Sequence, residues 1–124
     1  MKLLSLIIVF LGVVSCAESQ KTNVQDATSY GDSFLIDVRT SGEYIQGSPE
    51  GAVNIPVDDL TNRLQDLPSD KDTKIVVFCL SGGRSSHAKV ILEDHGYVNV
   101  INGGTYRMVQ NKLAQESAQK PTKG

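Results

Sequence analysis

Tryptophan is absent, and aromatic residues make up only 6% of the chain. A core without large rings has to be filled with Val, Ile and Leu, the residues favoured in buried parallel strands. Cysteine occurs twice, as Cys16 and Cys79. A small scaffold stapled by disulfides needs more, so that class is excluded. Neither sign of charge dominates: 12 Lys/Arg stand against 14 Asp/Glu, a formal charge of −2. Such a balance offers no broad basic surface, and no nucleic-acid partner is expected. With 40% hydrophobic and 21% charged residues, the chain does not belong to the disordered class either. What is left, at 124 residues, is one ordinary globular domain with short extensions.

The longest apolar stretch is Leu3–Val14, preceded by Lys2 and followed by Ser15-Cys16. Its 12 residues fall short of the roughly 20 that a membrane-crossing helix takes. It reads as a secretory signal. Its ending, Val13-Val14-Ser15-Cys16, resembles the lipobox of bacterial lipoproteins, which implies cleavage ahead of Cys16 and lipid attachment to that residue. Residues 1–15 are then a lipoprotein signal peptide and 16–23 a polar tether. Residues 24–114 form the domain, and 115–124 form a flexible tail of polar and breaking residues. The expected location is the periplasm or cell envelope, with the lipid as membrane anchor.

Within the domain, four short runs have strand length and β-branched content: Phe34–Asp37, Ala52–Ile55, Lys74–Cys79 and Tyr97–Ile101. Val57, Leu60, Leu64 and Leu67 line one face of an amphipathic helix that Pro68 stops. Ala88, Ile91, Leu92 and His95 mark a second helix ended by Gly96, and Tyr106, Val109 and Leu113 a third beginning soon after Gly103-Gly104. Strands alternating with helices predict an α/β fold, a parallel sheet covered on both faces. In such sheets ligands sit beyond the carboxyl ends of the strands. That singles out Asp37-Val38-Arg39, Cys79 with its following loop, and Gly103-Gly104.

The loop Cys79-Leu80-Ser81-Gly82-Gly83-Arg84-Ser85 lies between a buried strand and a helix expected to start near Ser85 or Ser86. Unpaired N–H groups at a helix start, turned inward by two glycines, suit an anion. A thiol held there is expected to be largely thiolate, with Arg84 adding positive charge near the sulfur or its substrate. Ser81 and Ser85 supply further donors. The bland alternative, a buried cysteine followed by a Gly-rich turn, explains neither Arg84 nor the helix start.

Asp37-Val38-Arg39, Glu43-Tyr44, Gly47, Gly51–Pro56, Cys79–Ser85 and Asn102-Gly103-Gly104 together resemble the successive motifs of rhodanese-like domains. The resemblance implies a rhodanese-like fold, a parallel sheet of about five strands with helices on both faces. Cys79 then carries sulfur in a Cys-x-x-Gly-x-Arg loop matched by Gly82 and Arg84, with no metal or organic cofactor. Leu80, Ser81, Gly82, Gly83, Arg84 and Ser85 bind the substrate or persulfide. Asp37 and Arg39 are structural, and Glu43 is a partner for Arg39 or a solvated helix residue. The implied activity is thiosulfate sulfurtransfer: a thiosulfate-like donor loads Cys79 with sulfane sulfur, and a thiol, cyanide or protein acceptor removes it, with a monomer doing the work. This chain departs from the family at Gly47-Ser48-Pro49-Glu50, where Gly-His-Ile is usual, and at Met108, where Trp is common. Residues 24–33 are also shorter than the family's first strand and helix.

Two other functions stay open at this stage. The same loop serves a persulfide carrier or anion-binding module for a partner protein. Arsenate reduction or phosphatase chemistry is disfavoured, because such loops resemble Cys-x5-Arg and this one is Cys-x4-Arg. His87 and His95, eight positions apart without a further ligand cluster, read as structural or surface residues rather than a metal site.

Overall fold

A computed structural model describes residues 29–121. The expected signal peptide, Cys16, the expected tether, the first residues of the expected domain and residues 122–124 of the expected tail lie outside that range. β1 (Phe34–Asp37), β2 (Val53–Asn54), β3 (Ile75–Cys79) and β4 (Val100–Thr105) form a parallel sheet in the order β2-β1-β3-β4. Four strands are therefore present among the described residues. α1 (Ser41–Ile45), α2 (Gly83–Asp94) and α3 (Tyr106–Gln119) follow β1, β3 and β4.

Every residue of β3 is buried, as expected for a central parallel strand with no solvent face. Ile75, Val77 and Cys79 point into a layer with Ile36, Ile55, Leu60, Ala88 and Leu92. Val76 and Phe78 point the other way, against Leu35, Ala52 and Val109. The two layers place α2 on one face and α3 on the other, with Cys79 at the carboxyl end of the middle strand.

Local patterns misjudged four stretches. The expected amphipathic helix over 57–67 is a 3-10 helix, Val57–Asp66, kinked at Arg63. The apolar face was read correctly, since Val57, Leu60 and Leu67 are buried and Leu64 packs on them. Spacings of three and four suit short 3-10 pieces as well as α-helix. α1 escaped notice because five residues show no apolar period. Its signal was the capping box Thr40-x-x-Glu43, in which the Thr40 hydroxyl accepts from Glu43 N at 3.3 Å. β4 starts at Val100 and runs on through Asn102-Gly103-Gly104, with a bulge opposite Val77/Phe78. The tail expected to fray from Gln115 continues α3 to Gln119. A distant contact holds it: the Glu116 carboxylate accepts from Tyr30 N and Gly31 N, each at 2.9 Å, and from Ser29 Oγ at 3.2 Å.

Gly103 lets β4 and α3 close on each other. A Cβ there meets Val109 Cγ2 at 2.6 Å and Val76 Cγ1 at 2.9 Å, both on fully buried residues. Gly103→Ala is expected to cost about 1–3 kcal/mol by overpacking, a fall in Tm on the order of 10 °C for a domain this size. Thermal unfolding followed by circular dichroism checks it.

Candidate active site

Cys79 is buried and, among the described residues, free of any disulfide. Gly82 adopts φ +93°, in the left-handed region open to glycine, and this turn brings its N–H to 2.9 Å from Cys79 Sγ. α2 begins at Gly83, two to three residues ahead of the expected start near Ser85 or Ser86, so the loop passes straight into the helix. Ser85, on the first turn of α2, places its hydroxyl 3.5 Å from the sulfur. Burial pushes the Cys79 thiol up and is the largest single influence, but hydrogen bonds from Ser85, Ser81 and Gly82 together outweigh it. The net pKa lies below the ordinary thiol value. The loop thus favours sulfur as an anion.

Ser85 is itself buried, and its hydroxyl reaches Asn102 Oδ1 at 2.8 Å and Gly82 O at 3.0 Å. One hydroxyl proton cannot serve these acceptors and a thiolate together. With Cys79 protonated, the thiol donates to Ser85 Oγ and Ser85 donates to Asn102 or Gly82. On ionisation the same hydroxyl turns towards the sulfur. Asn102 is fixed in orientation, because Gly104 N donates to its Oδ1 and its Nδ2 donates to Ser86 Oγ, both at 2.9 Å.

Arg84 is not directed at the sulfur. Its guanidinium grips Glu43 at two points, 2.7 and 3.1 Å. The hydrogen bonds from Arg84 pull Glu43 down to about 2, against a smaller upward push from burial, and Thr40 helps. Arg84 is raised in turn, chiefly by Glu43. The expectation that Glu43 pairs with Arg39 or is merely solvated is thus corrected. Arg39 belongs to Asp37, whose carboxylate accepts from its Nε at 2.9 Å and Nη2 at 2.6 Å, and from Arg39 N at 3.0 Å. Both side chains of that pair are buried. Ser48 Oγ donates to the same carboxylate at 2.8 Å, Arg39 Nη2 also donates to Gly47 O, and the guanidinium lies 4.1 Å from the centre of the Tyr106 ring. Asp37 and Arg39 therefore brace the strand ends beside the loop.

Beside the loop lies a shallow pocket of about 220 Å³ lined by Arg39, Glu43, Gln46, Gly47, Leu80 and Tyr106; Cys79, fully buried, is not part of its wall. Leu80 is 54% exposed, and Ser81 and Gly83 are also at the surface. A larger open groove, about 1180 Å³, runs beside the end of α3 and includes neither cysteine nor histidine. Among the described residues no group of three His, Cys, Asp or Glu is placed to hold a metal. His87 and His95 are exposed, and His95 Nδ1 lies 2.8 Å from Ile91 O at the end of α2.

The sequence profile of the rhodanese-like domain matches residues 17–110. The chain belongs to the rhodanese-like family. Two relatives of this rhodanese-like domain are the thiosulfate sulfurtransferase PspE of Escherichia coli, 39% identical over 69 residues, and a sulfurtransferase of Allochromatium vinosum, 37% identical over 71. These matches cover 56% and 57% of this chain and 66% and 64% of the relatives, so the chain spans just under two thirds of their length. A solved structure described as a rhodanese with anions, from E. coli, superposes with a TM-score of 0.58 and 36% identity, over 61% of this chain and 89% of that one. In this rhodanese-like domain, Cys79 and Leu80–Ser85 come together as one loop with Asp37 and Arg39 alongside. Glu43 as the partner of Arg84, Asn102 behind Ser85, and Tyr106 against Arg39 were not found from sequence.

Proposed function

We propose that the protein is a sulfurtransferase that works through a Cys79 persulfide, with thiosulfate or a similar compound as donor. The observation that carries this reading is the Gly82 N–H at 2.9 Å from a buried sulfur at the start of α2. The Cys79 thiolate attacks the outer sulfur of thiosulfate, the sulfur–sulfur bond of the donor breaks, and its electron pair leaves with sulfite. The new terminal sulfur is anionic at neutral pH, and the N–H groups of the loop stabilise it as an oxyanion hole stabilises oxygen. An acceptor nucleophile then takes the outer sulfur and returns Cys79 as thiolate. No net proton is consumed in either step. An oxyanion substrate of phosphatase type gains little here, because Arg84 is already engaged by Glu43. The relatives named for sulfur transfer support the same class. We further propose that acylated Cys16 holds this domain at the cell envelope.

Incubation of the folded full chain with thiosulfate is expected to add one sulfur atom to the Cys79 peptide by mass, and later addition of cyanide to release it as thiocyanate. No adduct and no thiocyanate overturn the reading. An adduct that passes to a co-purified protein thiol but not to small acceptors selects the carrier reading instead.

A further inference from the structure

Arg84, in the loop that carries Cys79, and Arg39, in the wall of the neighbouring pocket, each already have a carboxylate: Glu43 on Arg84, Asp37 on Arg39. The cation in the wall of that pocket, Arg39, is paired with Asp37, and Glu43 lines the same pocket. Arg107 stands nearby, donating to the Tyr106 hydroxyl at 3.1 Å, but it is exposed and its charge is screened by solvent. An arriving donor therefore meets amide N–H groups and a balanced rim rather than a cationic funnel. α1 also fixes the Glu43 carboxylate, because Thr40 Oγ1 donates to its Oε1 at 3.1 Å. The charge on the rim is thus set by the fold before any ligand arrives.

We infer that Glu43 is a specificity-determining residue: by neutralising Arg84 it lowers the preference of the site for doubly charged sulfane donors relative to singly charged ones. This rests on the sulfur-transfer reading. Thiosulfate and methanethiosulfonate separate the two cases. In each, Cys79 thiolate attacks the terminal sulfur and one sulfur–sulfur bond breaks. The electron pair leaves with sulfite, a dianion, or with methanesulfinate, a monoanion.

Glu43→Gln removes the charge but keeps side-chain length and a residue able to complete the capping box. Persulfide loading of Cys79 in the full chain is followed by mass against donor concentration. The half-saturating thiosulfate concentration is expected to fall about tenfold and that of methanethiosulfonate about threefold, because Coulomb energy scales with ligand charge. Both gains shrink towards wild type at about 1 M salt, where the Debye length is a few ångström. The pH midpoint of Cys79 alkylation moves down, since an uncompensated Arg84 favours the thiolate. Glu43→Asp, which keeps the charge, retains the wild-type donor ratio. Equal changes for both donors, or weaker thiosulfate loading at unchanged alkylation midpoint, overturn the assignment and leave Glu43 as a brace for Arg84. A folded wild-type chain that takes sulfur from neither donor overturns the sulfur-transfer reading and this assignment with it.

Discussion

Cys79→Ser is expected to take up no sulfur at position 79 and to lose about four orders of magnitude or more in transfer rate, the scale on which loss of a catalytic nucleophile is felt. The two side chains are nearly the same shape, and a serine hydroxyl can still meet the Gly82 N–H and Ser85 that surround the buried sulfur. The fold should therefore survive, with unfolding free energy changed by no more than about 1 kcal/mol. What disappears is ionisation near neutral pH and the ability to form a sulfur–sulfur bond. Intact mass and thiocyanate release, read beside circular dichroism, check both halves of the expectation. Because the full chain carries Cys16 as well, peptide mapping assigns any residual gain to its position. Wild-type turnover in the serine variant removes Cys79 from the mechanism.

The second large effect falls on stability. In Asp37→Asn an amide takes the place of the carboxylate that receives Arg39 Nε, Arg39 Nη2 and the Ser48 hydroxyl. An NH2 group at the Oδ2 position faces three donors, Arg39 Nε, Arg39 Nη2 and the Ser48 hydroxyl, and the buried Arg39 charge loses its carboxylate. Breaking one side of a buried pair costs about 3–5 kcal/mol, a large part of the roughly 5–15 kcal/mol that holds a typical domain together. The denaturation midpoint in urea should fall accordingly. The double variant Asp37→Asn/Arg39→Met is expected to recover part of that loss, because no unpaired charge remains. A single variant within about 1 kcal/mol of wild type would show that the pair contributes little to folding.

The central part of the fold was legible because it is local. β1 and β3 are continuous apolar runs, and Cys79 follows directly from where β3 must end. The active loop was equally plain, since cysteine, glycines, arginine and helix start are adjacent in sequence. What escaped was held by distant partners. Glu43 and Arg84 are 41 positions apart, and no spacing rule joins them. Asn102 reaches Ser85 only because β4 lies beside β3, and Glu116 orders a polar tail through bonds to residues 85 to 87 positions away. Strand β2, expected over Ala52–Ile55, is only Val53–Asn54, the two residues that pair with Ile36 and Asp37, so its place was legible and its length was not. Periodicity reports which side chains face the core, and here it did so even where it mistook a 3-10 helix for an α-helix.

The Glu116 clasp on Ser29–Gly31 also fixes how the molecule can be held. Ser29–Gly31 lead into the starts of the strands, and α3 returns to the same level before its carboxylate closes on them. Cys79 closes β3 at the other pole, a strand of five residues and roughly 15 Å away. Both ends of the described chain, Ser29 and Pro121, therefore lie at the pole remote from the sulfur. A rigid fusion made directly at Ser29 or Pro121 would sit on that pole and leave the Cys79 loop uncovered.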